Sequence, residues 1–439
     1  MCGKRRPASA RRRCCCARTA AARPGWLQSL ARRLFLSRFE AMRTGRLEII
    51  EPGGRRVFGD EDTPAGLRAA ITVLDPRFYP AVAFGGVNGA AEVYIQGAWS
   101  CDDLTALVRL MVLNRAVLER ARRGPAWLRT PADALFHFLR RNTPRASREN
   151  IAAHYDLGNE FYALFLDETM AYSCAVFEDE AASLDDAQAA KYDRICRKLA
   201  LSPSDHLLEI GTGWGGLAIH AARRFGCRVT TTTISRRQFE FAARRIEREG
   251  LSDRITLLEK DYRDLEGAYD KLVSVEMIEA VGFEYFDAYF AKCAALLKPE
   301  GLMLLQAITI NDQDYEAAKR RVDFIKRFVF PGGCLPSVAA ICDSVRRRTD
   351  LRLFHLEEIG PHYARTLRLW RERFFARLDE VRAQGFGDGF IRLWEFYLCY
   401  CEGGFWERHI GAVQMLLTKP LCRRPPILGK LQPPAQSPN

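Results

Sequence analysis

The run His206-Leu-Leu-Glu-Ile-Gly-Thr-Gly-Trp-Gly-Gly216 constrains this chain more than any other segment. A short apolar stretch ends in an acid, breaks into glycines and gives way to a helical pattern over residues 217–225. That order describes a strand feeding a tight turn at a helix N-terminus. Gly211, Gly213 and Gly215 carry no side chains, so a ligand can lie against bare backbone where the helix begins. Gly-x-Gly-x-Gly alone serves dinucleotide binders equally well, and a turn that only lets strand and helix pack closely is the plain alternative.

The acid favours one reading. Glu209 lies inside the strand, just before the first glycine, where S-adenosylmethionine (SAM) methyltransferases carry one. Dinucleotide binders place theirs about 20 residues further on. Residues 228–234, 254–258, 270–275 and 301–308 read as four more strands, with helical stretches such as 236–249 and 285–297 between them. The expected fold class is α/β: a largely parallel, doubly wound, Rossmann-like sheet of the class I SAM-methyltransferase kind, with a smaller N-terminal α+β domain. Ligands of such sheets bind beyond the C-terminal strand ends. Strand two ends in Thr233-Ile234-Ser235 with no acid to hold a ribose, which leaves that contact to a hydroxyl or to Gln238.

Charge divides the chain unevenly. Of its 66 Lys and Arg, 11 fall in residues 1–38, which hold no acid; the rest, 55 against 54 Asp and Glu, is close to neutral. That arm reads as an organelle transit peptide or an over-long start. At its end, Trp26, Leu27, Leu30, Leu34, Phe35 and Phe39 fall at helical spacing among Arg32, Arg33 and Arg38, a pattern suited to an anionic membrane surface or to packing on the next domain. No apolar run approaches the roughly 18 residues of a spanning helix. The 14 cysteines are scattered without Cys-x-x-Cys, and the 7 histidines do not fall beside them at ligand spacing. Neither a disulfide scaffold nor a metal site is expected, and a reducing, cytoplasmic setting with peripheral membrane association fits.

Punctuation gives the domain plan: an arm (1–38), an α+β domain (39–125) with strands at 46–50, 69–74 and 91–95, and a linker (126–148). A methyltransferase domain (149–419) follows, with a helical, aromatic-rich insertion at about 310–410 and a last strand at 412–418; a proline-rich, disordered tail (420–439) ends the chain.

Five further motifs occur in order: His154-Tyr-Asp-Leu-Gly-Asn159, Met170-Ala-Tyr-Ser-Cys174, Ser274-Val-Glu-Met-Ile-Glu-Ala-Val-Gly282, Phe328-Val-Phe-Pro-Gly-Gly-Cys-Leu-Pro-Ser337 and Tyr397-Leu-Cys-Tyr-Cys-Glu-Gly-Gly-Phe405. Together they resemble the cyclopropane-fatty-acyl-phospholipid synthase family, from about Gly45 to Lys419. Phe84-Gly-Gly-Val-Asn-Gly89 through Leu104 looks like that family's N-terminal lipid-associated domain. The resemblance implies methylene transfer from SAM to the cis double bond of an unsaturated phospholipid acyl chain. An alkene is a weak nucleophile, so the methyl donor must be held in line. The resulting carbocation needs a dry site lined by π faces or an anion, and a base must then remove a proton to close the ring.

The resemblance assigns roles residue by residue. Glu279 matches an active-site glutamate that positions the base or an anion acting as base, bicarbonate being the implied species. Tyr363 contacts the same anion, and Cys174 and Cys401 line the pocket as inert walls. Tyr172 and Ser173 match a lid over SAM. Glu209 and the glycines form the cofactor loop, Gln238 matches the ribose contact, and Asp261 with Tyr262 the adenine pair. Tyr155 could close the site. Gln306 stands where many bacterial members carry histidine, as in the plant-type branch; it can donate to an anion but carries no charge. Deprotonation at another carbon would give a methyl- or methylene-branched chain instead. Partners implied are unsaturated phospholipid chains and a membrane surface; no nucleic acid is expected, and a homodimer stays open. The rivals are a small-molecule methyltransferase, indifferent to Glu279 and Tyr363, and a non-catalytic lipid or SAM binder.

Overall fold

A computed structural model of the protein describes residues 25–60, 66–120 and 157–429. Most of the basic arm, the expected linker, Tyr155 and the end of the chain lie outside the described residues. The N-terminal part runs α1 (Trp26–Phe39), β1 (Arg46–Glu51), β2 (Gly54–Gly59), β3 (Arg68–Val73), α2 (Phe78–Ile95), β4 (Trp99–Cys101), α3 (Leu104–Leu113) and α4 (Arg115–Arg120). Its sheet has the order β2-β1-β3-β4, with β1 and β3 parallel and the outer pairs antiparallel. Every second residue of β1 and β3 (Leu47, Ile49; Ala69, Ile71, Val73) is buried, the period of a sheet with one wet face.

One expectation fails here. Residues 91–95, expected as a strand, close α2 instead, and the pairing strand is the short β4. The alternation in Glu92-Val93-Tyr94-Ile95 is too short to separate strand from helix, and packing decides it. Helix α2 is two helices joined at Gly86 (φ 60°, ψ −140°), a conformation that needs glycine.

The remainder runs α5 (Asn159–Tyr162), α6 (Leu184–Leu199), β5 (His206–Ile210), α7 (Gly216–Phe225), β6 (Arg228–Thr233), α8 (Arg236–Arg248), β7 (Ile255–Glu259), β8 (Tyr269–Val275), α9 (Phe286–Ala295) and β9 (Leu297–Ile310). After these come α10 (Asp312–Arg320), α11 (Val338–Arg348), β10 (Arg352–Glu358), α12 (Gly360–Ala376), α13 (Leu378–Ala383), α14 (Asp388–Trp406) and β11 (Ile410–Thr418). The sheet order is β10-β11-β9-β8-β5-β6-β7; β11 is antiparallel to both neighbours and every other pair is parallel. This is the doubly wound sheet expected, with β5 near its centre. Ser235 caps α8 and Ser337 caps α11 through their side chains, which fixes where each helix starts. Strand β10 interrupts the insertion expected to be helical. Residues 420–429 are not loose either: the Leu421 amide bonds Pro299 O (3.2 Å) and Ile427 packs on the core.

Helix α14 joins the two sheets' territories. Where it crosses α3, a Cβ on Gly403 would meet Val108 Cβ at 2.8 Å, so only glycine permits the approach. Around that crossing, the Thr105 hydroxyl and Arg371 both donate to buried Glu402 (3.2 and 3.1 Å), Tyr94 donates to Glu395 (2.7 Å) and Arg109 pairs with Glu407 (2.6 Å).

The kinked helix gives a stability test. A Cβ at Gly89 would sit 2.0 Å from the Ala81 carbonyl oxygen, whereas one at Gly85 would meet nothing within 4 Å. Gly89→Ala is expected to cost about 1–3 kcal/mol by forcing the two halves of α2 apart, read as a lowered melting temperature. Gly85→Ala should leave it unchanged or slightly raised, and equal effects would refute the close packing.

Candidate active site

The glycine loop does what its sequence predicts. Gly211, Gly213 and Gly215 have φ of 103°, 53° and 87°, so each takes a conformation that side-chain-bearing residues avoid. A Cβ at Gly213 would meet nothing, and the loop opens onto a cavity of about 760 Å³. The same cavity is lined by Glu209, Gln238, Asp261, Tyr262, Tyr172 and Ser173.

Each cofactor-side residue is held by its own neighbours. Glu209 is fully buried; its carboxyl accepts from the Thr231 hydroxyl (2.6 Å), and burial pushes its pKa to about 8. Gln238, in the first turn of α8, accepts from the Thr233 hydroxyl (3.0 Å). Asp261 takes both arms of Arg263 (2.8 Å each), which holds the carboxylate at the cavity wall. Tyr172 stacks on Trp370 and shares a 2.8 Å hydrogen bond with Tyr397. The Ser173 hydroxyl accepts from Lys191 (2.7 Å), a fully buried ammonium whose pKa desolvation lowers to about 8.

Beyond the loop the cavity turns apolar. Phe330, Phe396, Tyr397, Tyr400, Cys401 and Phe405 line its middle, and Phe35, Phe39, Phe78, Val82, Leu107 and Met111 line the arm between α1, α2 and α3. Tyr363 reaches the middle from α12, its ring stacked 4.3 Å from Phe405.

The polar cluster differs from the expected one. Glu279 stands in the 3-10 turn after β8; one oxygen accepts from the Ile308 amide (2.5 Å) and the other has no hydrogen-bond partner among the described residues. Burial, with the nearby Glu276 charge, raises its pKa to about 8, so it is a neutral acid at pH 7. Tyr363 does not face an open anion site, because its hydroxyl donates to Glu276 (2.7 Å). The Gln306 amide donates to Glu276 as well (2.8 Å), and its oxygen accepts from Gln414 (2.9 Å) on β11, which fixes the amide's orientation. Gln414 in turn accepts from Lys198 (2.7 Å), which pairs with Glu357.

Two corrections follow. Cys174 is not a pocket wall: its thiol is fully buried and points at the Ala175 and Ile359 carbonyls, while its backbone amide donates to Glu276 (2.9 Å). Cys401 does line the cavity, with its thiol pKa pushed up by burial. Bicarbonate does not fit the residues present. Its expected donors, Tyr363 and Gln306, already end on the Glu276 carboxylate, and a second anion there would meet that charge. Sequence reasoning passed over Glu276; the signal available was a second acid in Glu276-Met-Ile-Glu279, at the end of the fourth strand.

Comparison with known proteins agrees with this architecture. The sequence profile of the family described as mycolic acid cyclopropane synthetase matches residues 142–415. A tuberculostearic acid methyltransferase of Mycobacterium tuberculosis is 41% identical over 76% of this chain and 79% of its own. The cyclopropane-fatty-acyl-phospholipid synthase of Escherichia coli K12 is 38% identical over 80% and 88%. The solved structure of the cyclopropane synthase MmaA2 from Mycobacterium tuberculosis superposes with a TM-score of 0.58 at 30% identity, over 62% of this chain and 98% of that one. Mycolic acid cyclopropane synthase CmaA1, solved with SAH and CTAB, gives 0.57 at 30% over the same shares.

The neutral Glu279 makes a pH-dependent prediction. An unfolded glutamate ionises near 4.5, whereas the folded one keeps its proton to about 8. The stability it contributes is full below pH 4.5 and declines as pH rises toward 8, because unfolding then releases a proton. Glu279→Gln is neutral throughout, so its melting temperature should gain on wild type across that window and hold the gain above it. Parallel curves would mean that Glu279 is ionised in the folded protein.

Proposed function

Because the chain belongs to the mycolic acid cyclopropane synthetase family and is a SAM-dependent methyltransferase that modifies lipid acyl chains, we infer that it transfers a one-carbon unit to the cis double bond of an unsaturated phospholipid acyl chain. The observation that carries this reading is the shape of the cavity. A single space runs from the glycine loop, past Glu276, Glu279 and Tyr363, into an apolar arm between α1, α2 and α3. A small polar acceptor has no use for such an arm; a long hydrocarbon does.

SAM supplies an electrophilic methyl group when bound. The chain's residues supply the rest. The glycine turn gives backbone approach, Gln238 and Asp261 offer polar contacts for the ribose and adenine, and Tyr172 with Ser173 cover the loop. The aromatic rings of Tyr363, Tyr397 and Phe405 line the reacting region, where a carbocation would otherwise be trapped by water. Ring closure gives a cyclopropane. Loss of a proton from a chain carbon gives a methyl-branched alkene, a hydride shift to the cation followed by loss of a methyl proton gives a methylene branch, and the tuberculostearic acid methyltransferase among the relatives keeps that second reading in view.

The chain also has a face suited to a lipid surface. Helix α1 buries Ala31, Phe35, Leu36 and Phe39 against the fold while Trp26, Leu27, Leu30 and Leu34 stay exposed, Trp26 at 79%. One face of this helix packs on the fold, and the exposed apolar face supports the membrane reading. No helix among the described residues is long and apolar enough to cross a membrane, so we take the contact to be peripheral, through α1 and the basic side chains beside it.

Two experiments test this. Purified protein with SAM and liposomes of cis-unsaturated phospholipid should add CH2 to the acyl chains by mass spectrometry, with upfield ring protons in the NMR spectrum for a cyclopropane or vinyl protons for a methylene branch. Ala83→Phe, which fills the apolar arm, should lower kcat/KM about tenfold or more with SAM affinity unchanged; no CH2 gain by wild type would refute the assignment. Separately, replacing Trp26, Leu30 and Leu34 by serine should weaken liposome binding about tenfold or more, leaving SAM affinity intact. Unchanged binding at low salt would remove α1 from the membrane contact.

A further inference from the structure

The residues that would hold an external anion hold a side chain instead. Three donors converge on Glu276: the Cys174 amide (2.9 Å) and the Gln306 amide group (2.8 Å) on one oxygen, the Tyr363 hydroxyl (2.7 Å) on the other. These come from the lid segment, strand β9 and helix α12, so three separate elements are arranged around one carboxylate. Such donors select a planar, singly charged, two-oxygen group, and Glu276 presents one on the chain itself. Glu276 also lines the cavity beside Glu279 and Tyr363.

The backbone adds an independent observation. Glu276 has φ 50°, in the left-handed region where glycine is at ease and a glutamate is strained. Its amide bonds Gln306 O (2.7 Å), so the strained residue is locked at the C-terminal end of β8. A non-glycine residue kept at a strained position, half-buried at the cavity wall with both carboxylate oxygens held by donors, marks a site where function sets the residue.

The surroundings suit a base. Three donors and the nearby Lys191 ammonium favour the charged form, while burial raises the group's basicity above that of a solvated carboxylate. Its neighbour Glu279 is held toward its neutral form by burial first and by the Glu276 carboxylate second, while Glu276 alone of the two receives three donors.

We propose that the carboxylate of Glu276 is the catalytic base of this protein and that the chain needs no bicarbonate. This rests on the acyl-chain reading above. In the step it serves, the methyl carbon leaves sulfur with the C–S pair remaining on sulfur, and the alkene π pair forms the first C–C bond. The neighbouring chain carbon becomes the cation. Glu276 takes a proton from the added methyl, and the released C–H pair closes the ring. If the proton comes from the chain carbon next to the cation, the same pair forms an alkene. Either way one proton ends on Glu276 and the product is neutral.

The test compares wild type, Glu276→Gln and Glu276→Gly on vesicles of dioleoyl phosphatidylglycerol with SAM, in CO2-free buffer and with millimolar sodium bicarbonate. SAH binding by calorimetry reports folding; Glu276→Gly also relieves the backbone strain. Wild-type turnover should be the same in both buffers within about twofold. Glu276→Gln should lose kcat by about a hundredfold or more with lipid KM little changed, the size expected for losing a positioned base. Recovery of Glu276→Gly by bicarbonate or formate, which can refill the vacated donor set, would support the assignment further. A wild type that stops in CO2-free buffer and recovers on adding bicarbonate would overturn it, as would Glu276→Gln at wild-type kcat. A wild type giving no acyl product in either buffer would instead overturn the acyl-chain reading together with the base.

Discussion

Dryness is the constraint on which the rest of this structure depends. The carbocation that the proposed reaction would form from a double bond survives only where water cannot reach it, yet that chemistry needs charge close by. The chain resolves this by setting four ionisable groups around one space, Glu209 and Lys191 buried and Glu276 and Glu279 half-buried. Leaving any of them charged and unpaired would cost several kcal/mol. The surrounding hydroxyls, amides and rings therefore serve as much to make those charges tolerable as to contact a ligand.

Closing the space takes both sheets. The parallel sheet provides the strand ends and the glycine turn, but the apolar arm has α1, α2 and α3 for walls. Helix α14 binds the two together, with glycine at its closest approach to α3 and buried Glu402 tied to both sides. The aromatic residues of the insertion, which read from sequence as a generic helical region, supply the π-rich middle of the cavity.

The legible parts of the sequence were those governed by local rules. The glycine turn, the β-branched run of β6 and the buried strands β8 and β9 follow from spacing and composition, and they carry the fold. Edge strands β2, β4 and β10 were missed because short, exposed strands leave a weak alternation, and α2 was half misread because its glycines mimic turns. In the site, Glu279, Tyr363 and Gln306 were identified but their relation was not. Nothing in the residue order reveals that Glu276 adopts positive φ and turns its carboxylate into their midst. Cys174 reads from the resemblance as an inert pocket wall, whereas its backbone amide is the group that faces the cluster.

One feature of the amide chain behind Glu276 bears on how the site recovers between turnovers. Gln306, Gln414, Lys198 and Glu357 form an unbroken series of hydrogen bonds running away from the cavity. An imidazole in that series could pass a proton along; a carboxamide holds its hydrogens and only orients. The series is thus a scaffold and an insulator at once. With Glu276 as the proposed base, this series offers its proton no relay through the sheet, which would tie resetting to the moment when the finished chain withdraws and water returns to the cavity.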